Sequence, residues 1–187
     1  MKKLITTLAM LLLFAVGCTD QTSITSPEQS VQTQEPNWIA LPQAEGLHIN
    51  ESFTVSKTLD GKKGSGITMY KTYSGGPFGT VIIDAGLFFP RNSFTGIKTF
   101  WMTNDGTTCV STFGPDYVFN LSLTYNITYT GVDLTGINPY TIKFAYIAAD
   151  GSVQYAENDG IVVDLATGKL GVINARIPHF SRYGFVN

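Results

Sequence analysis

Few side chains in this sequence could do chemistry, and one short run holds two of them. In His179-Phe180-Ser181 an imidazole stands two residues from a hydroxyl. Imidazole, with an unperturbed pKa of about 6.5, takes up and returns protons near neutral pH. His179 and Ser181 are therefore the candidate reactive residues. The bland alternative has the three opening a final strand, with His179 pinning a turn, Phe180 filling the core and Ser181 bonding backbone. The second histidine is His48, and neither histidine has a partner at metal-ligand spacing. No metal or other cofactor is expected. The acidic residues Asp60, Asp84, Asp116, Asp133, Asp150, Asp159 and Asp164 fall mostly in apparent turns, where aspartate serves backbone geometry. A calcium loop at Glu157-Asn158-Asp159 is a minor alternative. With no phosphate-cradling glycine loop and no Gly-x-Ser-x-Gly elbow, the chain reads as a non-enzyme.

A different chemistry is written at the front. Lys2 and Lys3 precede an apolar run from Leu4 to Val16, too short to span a bilayer, which takes about 20 residues. Residues 1–17 read as a secretory signal peptide. The run stops at Ala15-Val16-Gly17-Cys18, which resembles the bacterial lipoprotein box. The resemblance implies cleavage before Cys18, a thioether-linked diacylglycerol on its sulfur and acylation of the new amino terminus. Each buried methylene adds about 0.8 kcal/mol of membrane affinity, so two or three chains anchor durably. Thr19 stands where some lipoproteins carry an aspartate that retains them in the inner membrane. In a two-membrane bacterium the expected address is the outer membrane.

Loss of Lys2 and Lys3 leaves 10 basic against 14 acidic residues, a net charge near −4. No basic run exists, and a phosphate-binding footprint needs clustered Lys and Arg, so nucleic acid is excluded as a partner. With Cys18 acylated, Cys109 is alone and no intramolecular disulfide is possible. Its bland reading is a small buried hydrophobe.

Between the lipidated cysteine and the domain, 19–36 is rich in Thr, Ser, Gln and Pro. Such composition cannot bury enough to order itself, and reads as a tether with a mean reach of about 25 Å. Residues 18–44 are assigned to the lipidated cysteine and tether, and 45–187 to one domain. Asn37-Trp38-Ile39-Ala40-Leu41-Pro42 is apolar and is either a first edge strand or an exposed docking segment. From Ser52 onward, short alternating runs lie between turn signals. Phe53 to Leu59, Ile67 to Tyr73, Val81 to Ile83, Gly86 to Phe89, Ile97 to Met102, Thr107 to Phe113 and Val118 to Tyr129 come first. Tyr140 to Ala148, Val153 to Ala156, Ile161 to Leu165 and Lys169 to Ala175 follow. Arg176 to Val186 reads as the closing strand. Asp105-Gly106 and Asp150-Gly151 mark hairpins. The expected fold is all-β, an antiparallel β-sandwich.

Three stretches then occur in a recognisable order: Gly86 to Phe94, Phe113 to Phe119, and His179-Phe180-Ser181-Arg182-Tyr183. Their order resembles the ZU-five domain of zonula occludens proteins, netrin receptors and ankyrins, over about residues 76–187. Asn120-Leu121-Ser122 departs from the proline usual there, and the strands before 76 have no obvious counterpart. The resemblance implies a sandwich used for protein contacts or scaffolding. It also implies a self-cleaving option, since some relatives cut themselves at His-Phe-Ser. Carried over, Ser181 Oγ would attack the Phe180 carbonyl while His179 takes the proton. Cleavage would release only Ser181 to Asn187.

Trp38, Trp101 and nine tyrosines give an alternative to an envelope protein as partner. Exposed rings would stack on sugars, whereas inward ones would simply pack. The leading expectation is a lipid-anchored extracytoplasmic sandwich that binds or scaffolds, with a carbohydrate-binding surface as the alternative.

Overall fold

Alternation with a period of two decides which side of each strand is buried. In β3 (Thr80–Phe89) the residues Val81, Ile83, Ala85, Leu87 and Phe89 are buried, while Asp84 and Phe88 face solvent. The same rule holds along β1 (Phe53–Asp60), β2 (Ser65–Ser74), β4 (Ile97–Asn104) and β6 (Val118–Thr130). The remaining strands are β5 (Val110–Gly114), β7 (Lys143–Ile147), β8 (Val153–Tyr155), β9 (Gly160–Asp164), β10 (Lys169–His179) and β11 (Arg182–Val186). The computed structural model describes residues 35–46, 51–148 and 150–187. No helix occurs among the described residues.

The strands form two antiparallel sheets packed face to face, so the expected β-sandwich is the fold. One sheet runs β1-β4-β5-β11-β7-β8, the other β2-β3-β6-β10-β9. Consecutive strands form the edges on each side: β1 and β2 on one, β8 and β9 on the other. Lys57 Nζ donates to the Gly66 carbonyl at 2.9 Å across the first of these edges. One hydrophobic core lies between the sheets, from Leu59 and Met69 through Leu123 and Tyr129 to Phe185.

Three details differ from the sequence reading. Arg176 to Val186 is not one strand. Arg176 to His179 ends β10 in the five-stranded sheet, and Arg182 to Val186 is β11 in the six-stranded sheet. A single strand would leave Phe180 paired in a ladder, whereas the chain turns there and sinks the ring between the sheets.

The domain also begins before residue 45. Ile39 and Leu41 are buried in the core, so the apolar patch packs on the domain as a short strand-like segment. Ile39 N–H donates to the Phe185 carbonyl at 2.9 Å, and Cys109 N–H donates to the Ile39 carbonyl at 2.7 Å. That insertion explains the third difference. The Asp105-Gly106 hairpin is longer than a two-residue turn, because β4 pairs Asn104 with Ser111. Residues near Thr108 bridge instead to Ala40. Asp105 Oδ1 accepts the amides of Thr107 and Thr108 at 2.8 and 2.7 Å, which holds the wider loop. The second Asp-Gly hairpin closes as expected, with Ala148 N–H on the Ser152 carbonyl at 2.8 Å.

Candidate functional site

His179, Phe180 and Ser181 sit where the chain crosses from one sheet to the other. Phe180 is 5% exposed and lies among the rings of Phe113 (5.6 Å between centroids, stacked), Phe119 (4.8 Å) and Phe100 (5.4 Å). Its amide donates to the Tyr117 carbonyl at 2.8 Å, and Phe113 N–H donates to the Ser181 carbonyl at 3.1 Å. The crossing is thus stitched to β5 and to the approach to β6.

The two candidate reactive groups are both engaged in this joint. Ser181 Oγ donates to the Ile147 carbonyl at 2.6 Å, which ties the start of β11 to the end of β7. His179 Nδ1 lies 3.3 Å from the Phe180 carbonyl oxygen, an approach that is a hydrogen bond only when Nδ1 carries the proton. Its ring meets Tyr146 edge to face at 5.1 Å. Tyr183 OH donates to the His179 carbonyl at 2.8 Å, and burial raises its phenol pKa well above 10. A hydroxyl whose proton is committed to Ile147 must break that bond before it can attack Phe180. The arrangement clamps two sheets together.

The three ordered stretches of the sequence reading are not independent. Gly86 to Phe94 carries the chain from β3 to β4, Phe113 to Phe119 carries it from β5 to β6, and His179 to Tyr183 carries it from β10 to β11. Each is a crossing between the sheets. Their rings meet: Phe89 with Phe94 at 6.0 Å, with Phe119 at 5.9 Å and with Phe180 at 6.4 Å. Offset and edge-to-face pairs add about 0.5–1.5 kcal/mol each beyond area burial, so the crossings are held mutually.

Other candidates are placed plainly. Cys18, the signal peptide and His48 lie outside the described residues. Cys109 is a buried free thiol whose Sγ lies 3.9 Å from the Ala40 carbonyl, and burial pushes its pKa up. Asp133, Asp150 and Asp164 accept hydrogen bonds from residues two or three further on, which lowers their pKa values. Asp159 pairs with Arg176 at 3.6 Å and accepts Asn174 Nδ2 at 2.8 Å. No cluster of metal-ligating side chains exists among the described residues.

Hollows open on the surface of the described residues, two of them near residues already named. One of about 490 Å³ lies between the edge strands, with Phe53, Tyr73 and Asn104 in its wall and Glu51 and Lys71 beside them. Asn104 is already satisfied there, donating to the Val110 carbonyl at 2.9 Å and to Tyr129 OH at 2.8 Å. The other, of about 580 Å³, lies beside the joint among Tyr146, Tyr155, Glu157 and Arg176.

The two tryptophans have different surroundings. Trp38 covers Gly184, where an added Cβ would lie 3.1 Å from its ring, and its Nε1 is buried without a partner. Trp101 lies on Gly114, where a Cβ would fall 2.1 Å from Cζ2 and 2.4 Å from Cε2. Phe100 and Met102 on either side of it point inward, so Trp101 is on the outer face, partly open to solvent. Sequence reasoning passed over its neighbours. The signal was present, because the outward members of the β1 and β4 alternation are mostly hydroxylic: Thr54, Ser56, Thr58, Thr99 and Thr103. The chain matches no family model, no curated protein and no solved structure.

Proposed function

We propose that this chain is a lipid-anchored, extracytoplasmic β-sandwich that serves as a binding or structural module at the cell envelope. Its address rests on Ala15-Val16-Gly17-Cys18 and on the polar segment after it, with Thr19 favouring the outer membrane where two are present. The order of the stretches Gly86 to Phe94, Phe113 to Phe119 and His179 to Tyr183 resembles that of a ZU-five domain, a type that works mainly in protein contacts.

One observation carries the non-catalytic reading. Ser181 and His179, the candidate reactive pair among the described residues, are both engaged in the joint: the Ser181 hydroxyl ties β11 to β7 through Ile147 at 2.6 Å, and the His179 ring packs on Tyr146. What is left for function is surface. A rigid sandwich held on a tether presents the outer faces of its sheets to the surroundings, as a binding or scaffold module requires.

Fractionation tests the anchor: the parent chain should partition with membranes and carry lipid, and Cys18→Ala should be released. A Cys18→Ala chain that stays in the membrane fraction and still carries lipid would sink the reading. Cross-linking in native membranes tests the module, and a captured envelope protein would support the scaffold form.

A further inference from the structure

We infer that the outer face of β1, β4 and β5 binds a neutral polysaccharide, with Trp101 as the ring on which one sugar stacks. The inference deepens the proposed function by naming a ligand class, and rests on it for the extracytoplasmic setting.

Register sets the geometry. Ser56 pairs with Trp101, Thr54 with Thr103 and Thr58 with Thr99. Two residues along a strand cover about 7 Å, so hydroxyl pairs flank the indole at about that distance on either side. The Thr54 and Thr103 hydroxyls are 2.6 Å apart, and those of Thr58 and Thr99 are 2.7 Å apart. Each pair shares one proton internally and keeps a second proton and spare lone pairs. The result is a line of about 14 Å, hydroxyls at both ends and an indole at the middle.

The indole lies down because β5 places Gly114 opposite Trp101. Any side chain there would meet the ring. A ring lying on the sheet turns its electron-rich face outward, where polarised C–H bonds of a pyranose fit.

Charge selects the ligand. The outward positions of β1, β4 and β5 between Asp60 and Val110 carry no charged side chain. The lysines of these strands point elsewhere: Lys57 Nζ bonds the Gly66 carbonyl, and Lys98 Nζ sits 5.2 Å over the Tyr117 ring. Asp60, at the end of β1, accepts the Lys62 amide at 3.0 Å. On the adjoining β11, Arg182 stands opposite Thr112 but is paired with Glu35 at 2.9 Å, so an anionic glycan or lipid headgroup finds no uncommitted cation on this face of β1, β4 and β5. A protein partner is a poorer match, since Ser and Thr are under-represented among residues that dominate protein interfaces. A neutral polysaccharide, apolar on ring faces and hydroxylic at ring edges, matches both parts of the line.

The test uses the full-length chain in mild detergent, sedimented with microcrystalline cellulose, chitin and insoluble α-glucan, with polygalacturonate as the anionic comparison. At least one neutral polymer should pull the chain down. Trp101→Ala should weaken that binding at least about tenfold. Because removing the indole uncovers Gly114, a second variant guards against misfolding. Thr54→Val with Thr103→Val keeps shape and strand preference, and should weaken binding several-fold at unchanged thermal midpoint. Failure with every neutral polymer, binding to polygalacturonate alone, or binding undiminished in both variants would overturn the inference. A chain that fractionates with membranes yet binds no polymer removes the glycan and leaves the anchor standing. Binding that depends on Trp101 in a chain not held by Cys18 does the reverse.

Discussion

Phe180 and Trp101 are two large rings used in opposite ways. Phe180 turns inward at a crossing, where rings from the two other crossings and Phe100 of β4 surround it, and it is almost fully removed from water. Trp101 turns outward on a regular strand, lies on a glycine and keeps part of its surface exposed. Around Phe180 the polar groups are spent on backbone: Ser181 on Ile147, Tyr183 on His179, the Phe180 amide on Tyr117. Around Trp101 the hydroxyls pair with each other and keep capacity to spare. Aromatic content alone therefore says nothing about binding. The two rings differ in how far their polar neighbours are already committed.

The largest effect that would break this comparison belongs to Phe180→Ala. It removes a ring from the centre of the cluster and should cost about 3–5 kcal/mol of unfolding free energy in denaturant titration. A loss below about 1 kcal/mol would mean that the crossings hold without their rings.

Gly114→Ala comes next. Its methyl must displace the indole, so about 1–3 kcal/mol should be lost, with a shift in tryptophan fluorescence. An unchanged spectrum would show that Trp101 does not lie on Gly114.

Ser181→Ala removes the donor to Ile147 and should cost about 1–2 kcal/mol. Intact mass sharpens the same point, because the denatured full-length chain should not lose the Ser181 to Asn187 peptide during long incubation at neutral pH. A lost peptide that Ser181→Ala restores would make this serine a nucleophile.

Alkaline titration gives the smallest effect. Burial, with Cys109 nearby, pushes Tyr73 from 10.0 up to about 12, and its OH donates to the Pro42 carbonyl at 2.8 Å. The unfolded chain then loses this proton first as pH rises. The contribution is full below pH 10 and lost as pH climbs toward 12, so the denaturant midpoint should fall across that window. Cys109, Tyr125, Tyr129 and Tyr183 are raised by burial too and share the fall, so Tyr73→Phe should reduce it without abolishing it, and an equal fall in both chains would remove Tyr73 as a contributor.

Much of this was legible in the residues themselves. The alternation in Phe53 to Leu59 and Val118 to Tyr129 gives strands with one buried face, because side-chain direction in a strand depends only on parity. Asp150-Gly151 gives a hairpin, and Cys109 in an apolar setting gives a buried thiol. Phe180 as core and Ser181 as a backbone partner match the bland reading of His179-Phe180-Ser181.

Other features depended on partners far away in the chain. Nothing local in Arg176 to Val186 says that it changes sheets at Phe180, since parity carries no information about which strand lies alongside. Ile39 and Leu41 became core only because β5 and β11 leave room for them. The platform at Trp101 needed three strands in register, so that Ser56 and Gly114 flank it and hydroxyl pairs fall on either side. The sequence by itself determined the strands and their buried faces, which are short-range properties of the chain. Sheet membership, the convergence of three crossings on Phe180 and the neighbours of Trp101 were decided by pairing across long sequence separations, and only the tertiary structure contains it.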